Sequence, residues 1–319
     1  MRDGLQPVPN GKPTFLDMPR CTGLAALDAD IAVIGIPFST PYDMAASRGD
    51  CSTAPDAIRA QSLRPARFLT HYDYDFGGEI FAGRIVRIVD CGDVAMMPGA
   101  FEANDRAATA VIRAILDRGA VPVILGGDHA IPIPIHRAYE GREPFCLVQI
   151  DAHLDWRDER NGVRDGLSSP MRRASELPWV RGMAQIGLRS VGSGRQIEFD
   201  DARAYGSVLI GAEELHRIGV EAALARIPAA ERYYVTFDAD GLDPAIAPGT
   251  RALAFGGVTY YEATNLLRGI ATRGNVVGFD FVEVAPALDV GNITSFLAAR
   301  LILNMIGALA HTGQIGKPA

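Results

Sequence analysis

Three clusters of histidine and aspartate recur along the chain, and each directly follows a short apolar run. GGDH at 126–129 follows residues 121–125, DAHLD at 151–155 follows residues 146–150, and DADGLDP at 238–244 follows residues 233–237. Short apolar runs of this kind are typical of buried strands in a parallel sheet. Because open α/β sheets bind ligands at the carboxyl ends of their strands, the three clusters are predicted to meet at one edge of a sheet.

The rest of the chain alternates between strand-like and helix-like segments. Further strands are expected at residues 31–36, 85–89, 184–188, 207–210 and 276–279, and helices at 107–116, 260–272 and 294–309. Strands that alternate with helices predict βαβ units. The expected fold is α/β: a single doubly wound domain over residues 1–319, with a central, mostly parallel sheet of about eight strands flanked by helices. Residues 1–27 are expected to form an N-terminal extension.

Composition and charge argue against several kinds of partner. The 319 residues carry 38 acidic and 31 basic side chains, a net charge of −7 with no dominant basic stretch, so nucleic acid is not an expected partner. The N-terminus lacks the apolar core of a signal peptide. Residues 296–310 include Arg300 and Asn304 and are expected to be too short and too polar to span a membrane. A cytoplasmic protein without a membrane partner is expected. The four cysteines show no CxxC pairing, which disfavours structural zinc and a disulfide framework.

The clusters together offer two imidazoles and four carboxylates as metal ligands. These candidates are His129, Asp151, His153, Asp155, Asp238 and Asp240. In an extended chain, residues 151, 153 and 155 project to the same side, and burying them there is costly unless a cation neutralises them. Such a set would hold two divalent ions. Oxygen ligands with two imidazoles favour two Mn²⁺, with Ni²⁺ as an alternative and zinc less favoured. Asp128 and Asp243 are better candidates for turn residues.

The order and spacing of these motifs resemble the ureohydrolase (arginase/agmatinase) family, in its agmatinase-like branch. Weaker similarities extend over nearly the whole chain, including PGT at 248–250 and FVEV at 281–284. The resemblance implies an arginase-like fold and a hydrolase acting on linear amidine C–N bonds. Its substrate would be a small guanidino compound, as for an agmatinase or a guanidinobutyrase. A metal-bridging hydroxide would attack the guanidinium carbon to give urea and an amine. The family usually forms trimers or hexamers, so a homotrimer or homohexamer is expected.

The resemblance also implies roles for individual residues. One manganese ion would be held by His129, Asp151, Asp155 and Asp238, and the other by Asp151, His153, Asp238 and Asp240. Asp155 would also be catalytic, because it would orient the hydroxide and pass its proton to the leaving nitrogen. Glu283 matches the family's guanidinium-holding carboxylate and would make a charge-assisted hydrogen bond to a planar cation.

Two positions depart from the family pattern. Leu167 stands where the family usually has a histidine that contacts the substrate and shuttles a proton. Residues 251–255, RALAF, replace a loop that is usually polar. With Trp156, these changes suggest a substrate pocket with a more apolar wall.

Several arginines lie in or near these altered segments. Arg157, Arg160, Arg164 and Arg251 are candidates to bind a carboxylate on the substrate. The alternative is that they balance the acidic side chains of the charged segment 156–169. The sequence does not decide between these two roles.

Two alternatives to an active guanidino hydrolase also stay open. The departures suggest a metal-binding but catalytically weak subunit of a hetero-oligomer, although a silent subunit has no chemical need for six intact ligands. A related C–N hydrolase could instead act on a different amidine or a formimino substrate. The substrate tail, the physiological metal and the replacement for the histidine at Leu167 are not decided by the sequence.

Overall fold

A computed structural model describes residues 4–38, 50–97 and 99–318, in which strands and helices alternate. The strands of this part of the chain are β1 (Leu5–Gln6), β2 (Ile31–Ile36), β3 (Tyr72–Asp73), β4 (Gly78–Glu79), β5 (Arg84–Ile85), β6 (Ile88–Val94), β7 (Val121–Gly126), β8 (Phe145–Ile150), β9 (Val180–Leu188), β10 (Val208–Gly211), β11 (Arg232–Asp238), β12 (Asn275–Val282) and β13 (Lys317–Pro318). The helices of the same part are α1 (Ala54–Ala66), α2 (Phe101–Asp117), α3 (Pro132–Arg137), α4 (Pro170–Ser175), α5 (Gln196–Tyr205), α6 (Ala212–Ile218), α7 (Val220–Arg226), α8 (Tyr260–Arg273) and α9 (Ile293–His311).

The main sheet confirms the predicted α/β class. Its nine strands among the described residues lie in the order β1-β6-β2-β7-β12-β11-β8-β9-β10. Eight of them are parallel, and only β1 runs antiparallel, with Leu5 opposite Val94. The prediction of about eight strands omitted β1 because β1 lies in the segment expected to be an extension. That segment packs on the domain, and Phe15 and Leu16 are buried.

Helices cover both faces of the sheet, which explains why its strands are continuous apolar runs. In β2, Ile31 and Val33 join one core layer, whereas Ala32 and Ile34 join the other. The first layer includes buried residues of α1, α6, α7, α8 and α9, and the second includes residues of α2, α3, α4 and α5. The edge formed by the strand ends is therefore the part of the sheet left for a site.

The strand expected at residues 85–89 was wrong in its position. Ile85 belongs to β5, which pairs with β13 at the C-terminus, and Ile85 is 62% exposed. The main-sheet strand β6 instead continues through Asp90 and Asp93, which the sequence placed beyond its end. Charged residues are tolerated there because the buried Arg59 binds Asp90 Oδ2 through Nε at 2.9 Å and Asp93 Oδ1 through Nη1 at 2.6 Å.

The C-terminal helix corrects a second expectation. The apolar helical stretch Val290–His311 has 22 residues and, by length and composition alone, could cross a membrane, so the prediction that it is too short and too polar was wrong. However, 78% of its most apolar window is buried inside the protein, which is typical of a core helix. Arg300 is compensated within the fold by Asp73 and Asp75, at 2.6 and 2.7 Å.

Candidate metal centre and active site

The candidate site lies at the carboxyl ends of four adjacent strands in the middle of the sheet, β7, β12, β11 and β8. His129 comes after β7, Glu283 directly follows β12, Asp238 ends β11, and Asp151 directly follows β8. The fold therefore brings the three sequence clusters together at one edge, as predicted.

Two glycines and an aspartate set the path of the chain at GGDH. A Cβ on Gly127 would lie 2.0 Å from the Phe38 carbonyl oxygen, and one on Gly126 would lie 2.7 Å from the Phe281 carbonyl oxygen. Only glycine allows backbones this close. Asp128 Oδ1 then accepts a hydrogen bond from the Ala130 N–H at 3.0 Å, which confirms its predicted role in the turn.

The DAHLD segment is bent rather than extended, so the backbone assumed in the sequence argument was wrong. The His153 N–H folds back to Asp151 Oδ1 at 2.6 Å, and Asp155 has a φ of +49°. A left-handed conformation is costly for a residue other than glycine and is often found at functional sites. The bend, and not the alternation of a strand, turns Asp155 toward the other ligands.

The first group of candidate ligands surrounds His129. Its Nδ1 lies 2.9 Å from Asp151 Oδ2, 2.9 Å from Asp155 Oδ2 and 3.1 Å from Asp238 Oδ2. All four side chains are buried. A single ring nitrogen can share at most one proton, so it cannot satisfy three carboxylate oxygens at these distances.

The second group surrounds His153, which is partly exposed. Its Nδ1 lies 3.1 Å from Asp240 Oδ2 and 3.5 Å from Asp151 Oδ1. Asp151 belongs to both groups, as expected for a shared ligand of two ions. The geometry brings all six predicted ligand residues together, although it places Asp238 in the first group only.

Backbone amides hold the carboxylates with one oxygen and leave the other oxygen for the site. Asp238 Oδ1 accepts from the Asp240 N–H at 2.8 Å, while its Oδ2 faces His129. Asp240 Oδ1 accepts from the Ala152 N–H at 3.3 Å, while its Oδ2 faces His153. Such anchoring fixes ligand orientation before any ion binds.

A buried hydrogen-bond chain sets the tautomer of His129. Thr236 Oγ1 donates to Asp280 Oδ1 at 2.6 Å, so this hydroxyl has only lone pairs left for His129 Nε2, 3.0 Å away. The proton of a neutral ring must therefore be on Nε2, and the Nδ1 lone pair faces the three carboxylates. This arrangement is repulsive without a cation, and it is the usual form of a metal-binding histidine.

The ionisation of the cluster leads to the same conclusion. Burial, with the nearby Asp151, raises the pKa of Asp155 to about 7, and the same two causes raise the pKa of Asp240 to about 6. Burial alone would lower the pKa of His129, but its contacts with the carboxylates outweigh this and raise the pKa well above its usual value. Without metal ions, protons on these side chains balance part of the negative charge of the cluster. The donor set and its geometry fit two divalent ions.

Glu283 lies beside this cluster in a fixed position. It has a φ of +63°, its N–H donates to the Gly127 carbonyl at 2.9 Å, and its Oε1 accepts from the His129 N–H at 2.9 Å. Its carboxylate also receives the guanidinium of Arg251, with Nη2 at 3.0 Å from Oε2. The two residues predicted to hold opposite ends of a substrate are thus paired with each other.

A cavity of about 350 Å³ opens onto the cluster. Its described lining residues include the predicted Trp156, Leu167, Arg251 and Glu283. Arg164, in contrast, lines a different cavity of about 850 Å³ that contains none of the candidate ligands. Its guanidinium lies 3.2 Å from Asp158, which matches the charge-balancing role that the sequence left open.

Sequence reasoning missed the residues that support the ligands from behind. These are Gln149, Gln185, Thr236 and Asp280, all buried polar residues within strands. Gln149 Nε2 donates to Asp151 Oδ2 at 2.6 Å, and Gln149 Oε1 accepts from Gln185 Nε2 at 2.6 Å. The available signal was a single polar residue inside an otherwise apolar strand, since such a residue needs a partner.

Comparison with known proteins places this site in a family. The family described as Arginase family matches residues 29–307. The chain belongs to the arginase family. It is 33% identical to guanidinopropionase from Pseudomonas aeruginosa, over 95% of the chain and 93% of that protein, and 34% identical to agmatinase from Sodalis glossinidius, over 92% and 91%. The solved structure of proclavaminate amidino hydrolase from Streptomyces clavuligerus has a TM-score of 0.81 at 29% identity and covers 94% of the chain and 97% of its own.

Membership confirms the predicted family and the enzyme class, an arginase-family hydrolase of the agmatinase-like branch. The family depends on a binuclear metal centre, and this chain has the residues for one. The relatives named for a guanidino acid and for agmatine are almost equally similar to the chain, at 33% and 34%. Overall identity therefore does not select the substrate tail, and individual pocket residues must.

Proposed function

We propose that the protein is a binuclear-metal amidinohydrolase that hydrolyses a guanidino compound to urea and an amine. The observation that carries the proposal is the lone pair of His129 Nδ1, held by Thr236 and Asp280 toward three carboxylate oxygens at 2.9–3.1 Å. Without a metal ion this nitrogen must instead carry a proton, and one proton cannot satisfy three carboxylate oxygens, so the arrangement suits a divalent ion better.

The bound ions would supply an activated water near neutral pH and balance the buried negative charge. The six ligand residues identified above would hold them. We propose two Mn²⁺, because carboxylates with two imidazoles suit manganese, with Ni²⁺ as the alternative.

The chain's own residues account for the remaining steps. Glu283, at the cavity wall, accepts N–H groups of a planar guanidinium and fixes its plane. Asp155 lines the cavity and contacts His129, and as a carboxylate it would take a proton from the attacking water and pass it to the leaving nitrogen. Trp156 and Leu167 line the same cavity with apolar surface, which limits water around the reacting group.

The proposal is tested by loading metal-free protein with Mn²⁺ or Ni²⁺ and measuring urea from agmatine, 4-guanidinobutyrate, 3-guanidinopropionate, arginine and guanidine. Urea from at least one compound is expected, and the near-isosteric Asp238→Asn variant should lose it together with bound metal. If the protein releases an amide from a formimino compound and no urea from any guanidine, the alternative of a related C–N hydrolase would replace the proposal. Absence of turnover in protein with two ions per chain would favour the catalytically weak subunit.

Two further properties are part of the proposal. We propose a homotrimer or homohexamer, on the resemblance to the family, and a cytoplasmic location, on the sequence. Light scattering of the purified chain tests the first, and fractionation of the source cells tests the second.

A further inference from the structure

The carboxylate expected to hold the substrate guanidinium already holds a guanidinium of the chain itself. Arg251 Nη2 lies 3.2 Å from Glu283 Oε1 and 3.0 Å from Oε2, and Arg251 Nε lies 3.3 Å from Oε2. The same carboxylate accepts from the His129 N–H at 2.9 Å and from Cys51 Sγ at 3.4 Å. Since a carboxylate offers about four acceptor sites, Glu283 has none left for a second guanidinium.

Arg251 is placed so that it can leave Glu283 without leaving the cavity. The residue follows the buried Thr250, and its side chain is 28% exposed and lines the cavity wall. Asp128 Oδ2 lies 3.9 Å from its Nη2, beyond hydrogen-bond distance, and the other oxygen, Oδ1, accepts from the Ala130 N–H in the GGDH turn. A substrate guanidinium that binds Glu283 therefore leaves Arg251 with only the long contact to Asp128 Oδ2.

Among the described residues that line this cavity, Glu283 and the metal-ligand candidates are the only carboxylates. The other charged side chains there are Arg157 and Arg160, both positive. Arg157 makes no ion pair within the described residues. Among these described residues, an ammonium tail, as in agmatine, would find cations and no carboxylate other than Glu283 and the ligand candidates, whereas a carboxylate tail would find the displaced Arg251.

We propose that Arg251 is an exchangeable counter-ion that selects guanidino carboxylates. The two charges of such a zwitterionic substrate replace the Arg251–Glu283 pair with two new pairs, one at each end of the substrate. A guanidine without an anionic tail must break the same Arg251–Glu283 pair, but it provides a new partner only for Glu283 and none for Arg251. This inference rests on the proposed function, because it assigns the tail of the same substrate.

The test compares three substrates that share the guanidinium and differ in the tail: 4-guanidinobutyrate, agmatine and butylguanidine. Kinetic constants for urea release are measured with the metal-loaded wild type, Arg251→Ala, Arg251→Lys and Arg157→Ala. Arg113→Ala, on the outer helix α2 and outside this cavity, serves as the matched control. Circular dichroism and bound metal content verify that each variant is folded.

In Arg251→Ala, KM is expected to shift in opposite directions for the substrate with an acidic tail and for the substrate with a neutral tail. In Arg251→Ala, KM for 4-guanidinobutyrate should rise about 10- to 100-fold, with a smaller change in kcat, because a hydrogen-bonded charge pair is lost. KM for butylguanidine should fall several-fold, because Glu283 becomes free. Arg251→Lys should fall between, since it keeps the charge without the planar fork. A purely structural role would change KM for both substrates in the same direction.

Several results would overturn the inference. KM values that shift together, that do not shift, or that follow Arg157→Ala instead of Arg251→Ala would each exclude exchange at Arg251. If the wild type releases urea from these guanidines but Arg251→Ala keeps its tail preference, the inference fails and the proposed function stands. If no guanidine gives urea, calorimetric binding of 4-guanidinobutyrate that is lost in Arg251→Ala would support the exchange, and absence of binding would refute it.

Discussion

Gln149 is predicted to control metal affinity although it is not a ligand. It is fully buried in β8, and its Nε2 donates to Asp151 Oδ2, the carboxylate shared by both candidate ion sites. Gln185 holds its other end, and Ser207 Oγ donates to Gln185 Oε1 at 2.9 Å. The Gln149→Met change keeps the length and approximate volume of the side chain but removes the donor to Asp151.

The expected effect follows from the type of hydrogen bond that is lost. A hydrogen bond to a charged group contributes about 1.5–3 kcal/mol, and loss of such support around metal ligands typically weakens binding about 10- to 100-fold. That range corresponds to about 1.4–2.7 kcal/mol. Because Asp151 belongs to both ligand groups, both binding steps should weaken. The change also removes the acceptor of Gln185 Nε2, so folding stability should fall by about 1–3 kcal/mol.

Competitive chelator titration of metal-free protein with Mn²⁺ measures both binding steps. Gln196→Met is the matched control, because Gln196 is an exposed glutamine of α5 whose Nε2 donates to Asp200, away from the cluster. The reasoning would be refuted by wild-type affinity in a folded Gln149→Met protein, or by an equal loss in the control.

Two further predictions concern the same centre. Affinity for Mn²⁺ should rise from about pH 5 to about pH 8, because ions bind deprotonated ligands and the pKa values of Asp240 and Asp155 are raised to about 6 and about 7. The expected rise is about 10-fold per pH unit for each proton that the ion displaces. Titrations that show no pH dependence would contradict this. The Thr236→Val change removes the acceptor that keeps the proton on His129 Nε2, so Mn²⁺ affinity should fall about 10-fold or more, as measured by the same titration; an unchanged affinity would show that the tautomer does not depend on Thr236.

Local rules were sufficient to predict the sheet and the meeting of the three clusters. The runs that end near Gly126, Ile150 and Asp238 are apolar because helices cover both faces of the sheet, so burial could be inferred from composition alone. Once the strands are parallel, their carboxyl ends share one edge, and the residues that follow them meet there. No knowledge of long-range contacts was needed for that step.

Interactions that depend on loop paths could not be predicted in this way. Arg251 and Glu283 are separated by 32 positions, and their contact depends on the conformation after Thr250 and on the positive φ of Glu283. The opposite case is Arg164, for which the sequence left both a substrate contact and a charge-balancing role open, and whose guanidinium lies 3.2 Å from Asp158. Residue type suggested charged partners for both arginines, but only the backbone path decides which partner is near.

The charges of the described residues around the cavity support the proposal of an anionic substrate tail. The four buried aspartates of the ligand cluster would be compensated by two divalent ions, and Glu283 is paired with Arg251. Entry of a guanidinium adds one positive charge to a wall whose described residues already include Arg157 and Arg160, and it leaves Arg251 with only Asp128 Oδ2, 3.9 Å from its Nη2. A carboxylate at the far end of the same molecule restores the balance, and an ammonium makes it worse by one more charge. Overall similarity to guanidinopropionase and to agmatinase does not distinguish between an anionic and a cationic substrate tail. We infer that Arg251, which pairs with Glu283 before the substrate binds, makes that distinction.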